Sequence, residues 1–173
     1  MTILKEENQL EQNKREEPLS LIARAMITGF TGGVIASIAG FVMNYFNFTE
    51  ISPKSFVLKS WVRASWVDGW LGTAISILII GLLSLLIALI YYIALRKLYT
   101  MWMGVVFGII LWGLIFFVLQ PLFPNIPAFV DLEVNTLVST ACLFILYGTF
   151  IGYSIAYDYH DTKEKEQKEK EQG

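Results

Sequence analysis

The stretch GWLGTAISILIIGLLSLLIALIYYIAL runs from Gly69 to Leu95 without one charged side chain, and its reading decides the class of fold. A helix rises about 1.5 Å per residue and the hydrocarbon core of a bilayer is about 30 Å thick, so about 20 apolar residues cross it. Three more charge-free intervals, Ala25 to Thr49, Leu98 to Val130 and Val134 to Tyr157, exceed that length. The pattern predicts an all-α membrane protein, a four-helix transmembrane bundle with spans at about 22–46, 71–95, 102–120 and 135–157. Residues 1–20 form a polar tail, 21–157 the membrane domain and 158–173 a charged tail.

Composition agrees with this division. Hydrophobic residues make up 55% of the chain and charged ones 16%, against roughly 25% charged in an ordinary soluble domain. Ser20 stands where a cap for the first helix is expected, and Pro121, which lacks an amide hydrogen, is expected to stop the third near Gln120. Ser37-Ile38-Ala39 has the small-x-small pattern of a signal-peptidase site. The apolar run continues past it to Phe48, and the residues before the span hold more acids than bases, so an uncleaved first span is expected.

Lysine and arginine set the orientation, because basic loops stay in the cytoplasm while acids count for little. Four spans put both termini on one side. That side carries Lys5, Lys14, Arg15, Arg24, Arg96, Lys97, Lys163, Lys165, Lys168 and Lys170, leaving Lys54, Lys59 and Arg63 for the other. Both termini are therefore expected in the cytoplasm of a plasma-membrane protein. In the C-terminal tail, Glu164 and Lys168, and Glu166 and Lys170, have helix-supporting spacing, yet nothing apolar anchors the segment. Continued helix and solvated coil both fit it.

Two outer segments join the spans. In the first, Ser52-Pro53 precedes Phe56, Val57, Leu58, Trp61, Val62 and Trp66, with Lys54, Lys59 and Arg63 interleaved. Aromatic rings favour the headgroup zone and basic side chains reach phosphates, so a short interfacial helix over about 53–66 fits, as does an irregular loop over the helix ends. The second holds Pro121, Pro124 and Pro127 and is expected to be stiff and extended.

Helices in lipid associate by close backbone contact, which favours small residues at three- and four-residue spacing. Gly29, Gly32, Gly33, Ala36 and Gly40 form two stripes on the first span; Gly104 and Gly108 mark the third, Gly148 and Gly152 the fourth. A shift of 75 residues lays Gly29 on Gly104 and Gly33 on Gly108, a match that shared packing composition explains. No Asp, Glu, Lys, Arg or His lies within the four charge-free intervals. Ser37, Ser76, Ser84 and Thr140 can bond to their own helices, while Asn44, Glu50, Asp68, Gln120, Asp131 and Glu133 outline a polar mouth at the outer side.

Several chemistries are excluded or unsupported. A net charge of −2 gives no basic field for nucleic acid. Cys142 and His160 are single, so neither a disulfide framework nor a cysteine or histidine metal cluster can form within the chain. No catalytic triad, paired-histidine or phosphate-loop pattern occurs, and no cofactor, metal or catalytic residue is expected.

The stretches Glu11-Gln-Asn-Lys-Arg-Glu-Glu-Pro18, Asn47-Phe-Thr-Glu-Ile-Ser-Pro53, Gly69-Trp-Leu-Gly-Thr73 and Phe116-Phe-Val-Leu-Gln-Pro121 resemble the YqhR-type conserved membrane proteins of Bacillus-like bacteria. The resemblance implies four spans and a bacterial plasma-membrane location, and it carries over no catalytic residue. The sequence thus points to a non-enzymatic interaction or assembly component whose glycine faces meet a second copy or another membrane protein. The alternative is a small transporter or channel with an outward polar mouth.

Overall fold

The computed structural model describes residues 20–95, 98 and 100–172, without the side chains of 101, 165, 166 and 169–172. The tail with Lys5, Lys14 and Arg15, the Arg96-Lys97 turn, and the side chains of Lys165, Glu166 and Lys170 lie outside the described residues. Among the described residues the fold is all-helical, with four helices long and apolar enough to cross a membrane. They are α1 (Leu21–Tyr45), α2 (Trp70–Leu95), α3 (Met101–Gly113) and α4 (Val134–Gln172). The apolar run of α3 continues through a π-helical segment, Leu114–Leu119, and a 3-10 turn, Gln120–Leu122.

Local chemistry accounts for several boundaries. The Ser20 hydroxyl accepts a hydrogen bond from the Ala23 amide at 3.3 Å, supplying one of the partners that the first turn of a helix lacks. At the other end of α1, Asn47 reverses the chain with φ of 58°, a left-handed conformation that asparagine tolerates better than most residues. The end of α3 departs from the plain stop expected at Gln120. The ring of Pro121 crowds the carbonyl four residues back and offers no donor, and the backbone answers with wider turns before it and a tighter one around it.

Antiparallel helices bring the start of α1, the end of α2, the start of α3 and the Asp158 region of α4 to one end of the bundle, and the 46–69 and 123–133 segments to the other. Arg24 and Asp158 meet at 3.6 Å at the terminal end. α1 lies along α2 and α4, and α4 also lies along α3 and touches α2. Gly32 faces Phe150 and Ile151 of α4, while Gly29 and Gly33 face α2: a Cβ at either would fall 2.4 Å from the Cβ of Ala88 or Ser84. Against α4, a Cβ on Gly104 would meet the Cα of Thr149 at 2.8 Å, and one on Gly108 the carbonyl oxygen of Phe144 at 2.4 Å.

The interior is consequently built from small residues. Ala25, Gly29, Gly32, Gly33, Ser37 and Gly40 are buried on α1, and Gly72, Ser76, Gly81, Ser84 and Ala88 on α2. Large aliphatic side chains such as Ile27, Ile35, Leu82, Leu86 and Ile90 point outward and are half-exposed or more. Two denser clusters complete the packing. Tyr91, Tyr92, Tyr147, Ile151 and Ile155 gather toward the terminal end, and Ile51, Phe116, Ile126 and Leu132 gather at the loop end. Phe56 stands edge-on to Phe116 and Phe123, and Phe129 stacks beside Phe117 with centroids 4.3 Å apart.

The segment between α1 and α2 combines both forms considered for it. It holds a π-helical turn at Ser55–Lys59 and a 3-10 turn at Ser65–Val67, with irregular chain between them; Leu58 and Val67 are buried while Trp61 is exposed. Gly72 admits the second turn, since a Cβ there would lie 2.0 Å from the Val67 carbonyl oxygen. In the C-terminal tail the helical form holds: α4 continues to Gln172, and Lys168 meets Glu164 at 2.7 Å.

A Cβ on Gly148 would meet only backbone, with the Gly104 carbonyl oxygen and the Gly108 Cα both at 2.6 Å. Gly148→Ala should therefore destabilise the protein by about 1–3 kcal/mol, as overpacking does, and lower its thermal midpoint in detergent. The outward Ile35→Ala serves as control and should leave the midpoint nearly unchanged.

Candidate functional site

Six side chains outlined a polar mouth in the sequence, and each has a definite place at the loop end. Asn44 donates through Nδ2 to the Thr49 carbonyl at 2.9 Å, folding the chain back after α1. Gln120 donates through Nε2 to the Ile126 carbonyl at 3.1 Å and bridges the proline-rich segment. Glu50 accepts the Glu133 amide at 3.0 Å, and its own amide donates to the Thr136 hydroxyl at 3.1 Å. This reciprocal pair caps α4 from a distant loop and sets a carboxylate at the positive end of the helix dipole. Asp131 and Glu133 are exposed on the turn before α4.

Asp68 belongs to a different neighbourhood, paired with Lys59 at 2.7 Å. The hydrogen bond and charge of Lys59 hold its carboxyl below the ordinary 3.8. Glu50 and Glu133 are thus brought together, through a carboxylate and an amide, while Asp68 stands with cations. Among the described residues no group of histidine, cysteine or acidic side chains is arranged to hold a metal ion.

Three ties at this end carried no sequence signal. Lys54 Nζ donates to the Asp68 and Gly69 carbonyls, both at 3.1 Å, and lies 5.9 Å from the centre of the Phe41 ring. It thereby fastens the end of the first loop to its own beginning and to α1. Asn125 donates to the Lys59 carbonyl and joins the two loops. Thr136 receives Glu50 as described. The hydrogen-bond partners lie from 14 to 86 residues away in the chain, beyond the reach of any local pattern.

Within the bundle, Ser37 donates to the Val34 carbonyl at 2.9 Å and Ser76 to the Gly72 carbonyl at 2.7 Å, both on their own helices. Thr140 donates to the Thr136 carbonyl at 2.6 Å and accepts the Trp112 indole N–H at 3.1 Å. Ser84 behaves differently. Its hydroxyl donates across to the Gly29 carbonyl of α1 at 2.5 Å and bonds the Tyr147 hydroxyl of α4, linking three helices. The nearby Tyr91 hydroxyl is buried with no hydrogen-bond partner. It presses on α4 where Gly152 lacks a side chain, 2.9 Å from where a Cβ would stand.

A transporter would direct Asn44, Ser76, Ser84 and Gln120 toward one shared cavity. All four are instead directed at backbone carbonyls. Nor is the Ser84 hydroxyl set up as a nucleophile, since its neighbours are a carbonyl and a phenol and no base lies within the spans.

The arrangement is that of a tied, lipid-embedded bundle, and comparison with known proteins agrees. The family model described as "Conserved membrane protein YqhR" matches residues 5–170. The chain belongs to this family. It is also 40% identical over 156 residues to the uncharacterized protein YqhR of Bacillus subtilis (strain 168), a match covering 90% of this chain and 87% of that relative. No solved structure matches it. Family membership makes the chain a membrane protein, in keeping with its four apolar helices.

Ser84→Ala and Tyr147→Phe should each destabilise the bundle, and a double-mutant cycle in detergent should return a coupling of about 0.6–1.7 kcal/mol. A coupling of zero would mean that the two hydroxyls act independently. At the surface, the lowered value for Asp68 means that the Lys59 pair is complete above the ordinary 3.8 and is lost as pH falls through the lower folded value. Lys59→Gln should move the Asp68 titration upward toward 3.8, measured by carboxyl-carbon NMR of labelled aspartate.

Proposed function

We propose that this protein is a non-enzymatic assembly component of the bacterial plasma membrane, with both termini in the cytoplasm, in which the bundle is a rigid anchor and α4 carries the element that meets a protein partner. The observation that carries this reading is the disposition of α4. Its 39 residues extend about 58 Å at 1.5 Å per residue, nearly twice a hydrocarbon thickness of about 30 Å. The part beyond Tyr157 bears Asp158, Asp161, Lys163, Glu164 and Lys168, side chains suited to water and to a charged partner surface.

The glycine faces, first expected to receive a partner, are filled by the chain's own helices. That moves the contact away from the small-residue stripes and toward the projecting helix. The cytoplasmic assignment rests on the excess of lysine and arginine in the sequence segments that flank the terminal side of the spans, among them Arg24, which stands beside Asp158.

A photo-reactive amino acid placed at Gln167 in living cells should give a discrete cross-linked product, whereas one at the outward Ile35 should give lipid adducts only. A product of twice the chain mass would identify a second copy as the partner. Absence of any protein adduct at Gln167 would overturn the reading. A reporter active only in the cytoplasm, fused after Gly173, should be active; an inactive one would reverse the orientation.

A further inference from the structure

Lys59, Arg63, Ser65, Asp68 and Asn125 line an open groove of about 450 Å³ at the loop end, beside the start of α2. Its depth in the bilayer follows from what flanks it. Val67 in the groove wall lies less than one turn before Trp70, the first residue of α2, and Trp61, Trp66 and Trp70 are 68%, 40% and 77% exposed. Tryptophans with that much free surface at the end of a span belong at the headgroup level, where one edge of the ring meets lipid and the other water. The groove therefore opens at the height of the lipid phosphates.

We propose that this groove binds the headgroup of an anionic glycerophospholipid, with Arg63 and Lys59 on the phosphate and the acyl chains running down beside the exposed tryptophans. Arg63 makes no ion pair among the described residues, and its planar fork matches two phosphate oxygens. Lys59 spends one N–H on Asp68 and retains two. Lys54 is held nearby on the Asp68 and Gly69 carbonyls and adds to the positive field.

Charge also selects the rest of the headgroup. Two cations against one carboxylate leave the groove positive and repel an ammonium group. Asp68, Ser65 and Asn125 present acceptors and donors suited to the hydroxyls of a glycerol. The site thus favours a phosphoglycerol headgroup over phosphocholine or phosphoethanolamine. Nothing in this assignment depends on a protein partner for α4.

The test uses the full chain purified in detergent, with phosphatidylglycerol, phosphatidylcholine or soluble glycerol phosphate added. Phosphatidylglycerol should raise the thermal midpoint more than phosphatidylcholine does, and high salt should shrink the difference. Arg63→Gln and Lys59→Gln should each weaken apparent binding of phosphatidylglycerol roughly tenfold, the share of one charge-assisted hydrogen bond. Asp68→Asn removes the negative charge and should leave that binding equal or stronger, an effect of opposite sign that general damage to the loop would not give. Since Arg63 is exposed and has no ion pair among the described residues, Arg63→Gln should keep the wild-type midpoint in phosphatidylcholine, which separates lost binding from lost folding. Equal stabilisation by the two lipids, or an unchanged phosphatidylglycerol effect in the Arg63→Gln, Lys59→Gln double variant, would overturn the site. Stabilisation by glycerol phosphate as large as that by the lipid would overturn the lipid assignment.

Discussion

Everything in this structure depends on backbone meeting backbone at the helix interfaces. In hydrocarbon, apolar side chains gain nothing by leaving their solvent, so helices must be held by dispersion contact and by hydrogen bonds that lipid cannot supply. Gly104, Gly108 and Gly148 meet this constraint directly, with main-chain atoms of α3 and α4 so close that no Cβ fits between them. The same requirement explains the inverted distribution of side chains. On α1 and α2 isoleucines and leucines face out or stand at the rim, and glycine, alanine and serine face in, the reverse of the arrangement that water imposes.

Close packing of this kind leaves little room for polar groups, and among the described residues every buried polar side chain except Tyr91 has a partner at short range. Ser37 and Ser76 find theirs on their own helices and leave the interfaces undisturbed, while Thr140 bonds its own helix and also accepts the Trp112 indole of α3. Ser84 instead spends its hydroxyl between helices, and Gly29 makes this feasible: the absent side chain lets α2 approach until Ser84 reaches the Gly29 carbonyl. Packing and hydrogen bonding are here one contact. At the loop end water is available, and charge takes over the same duty through Lys54, Glu50 and the Lys59–Asp68 pair.

The four apolar helices were legible because length and absence of charge are properties of contiguous residues. Ser20 was legible as a cap for the same reason, its partner being three residues away. The π-helical segment Leu114–Leu119 was not, since a run of apolar residues has the same pattern whether the backbone repeats every four residues or five. Nor could the sequence tell that Asn44 and Gln120 would turn inward to nearby carbonyls instead of bordering a mouth. Tyr147 went unnoticed as a polar partner because a tyrosine in an apolar span reads as an aromatic; only its meeting with Ser84, 63 residues earlier, gives its hydroxyl a role.

The repeat at 75 residues acquires a physical meaning in the bundle. Gly29 and Gly33 face α2, the second helix of the first hairpin; Gly104 and Gly108 face α4, the second helix of the other. Both hairpins therefore close by the same device, at matching positions, and α1 then joins them by lying along α4. What differs between the halves is the polar content of the seam, for Ser84 stands opposite Gly29 and Gly33 whereas Gly148 stands opposite Gly104 and Gly108. The seam of glycine against glycine is held at its glycines by contact, with the Trp112–Thr140 hydrogen bond nearer its loop end. A seam with a bonded serine also fixes register and rotation, since sliding or turning α2 would strand a hydroxyl in hydrocarbon. In the first hairpin that bond falls at the glycine contact itself, and the Ser84–Tyr147 bond transmits its register to α4, the helix that carries the charged extension.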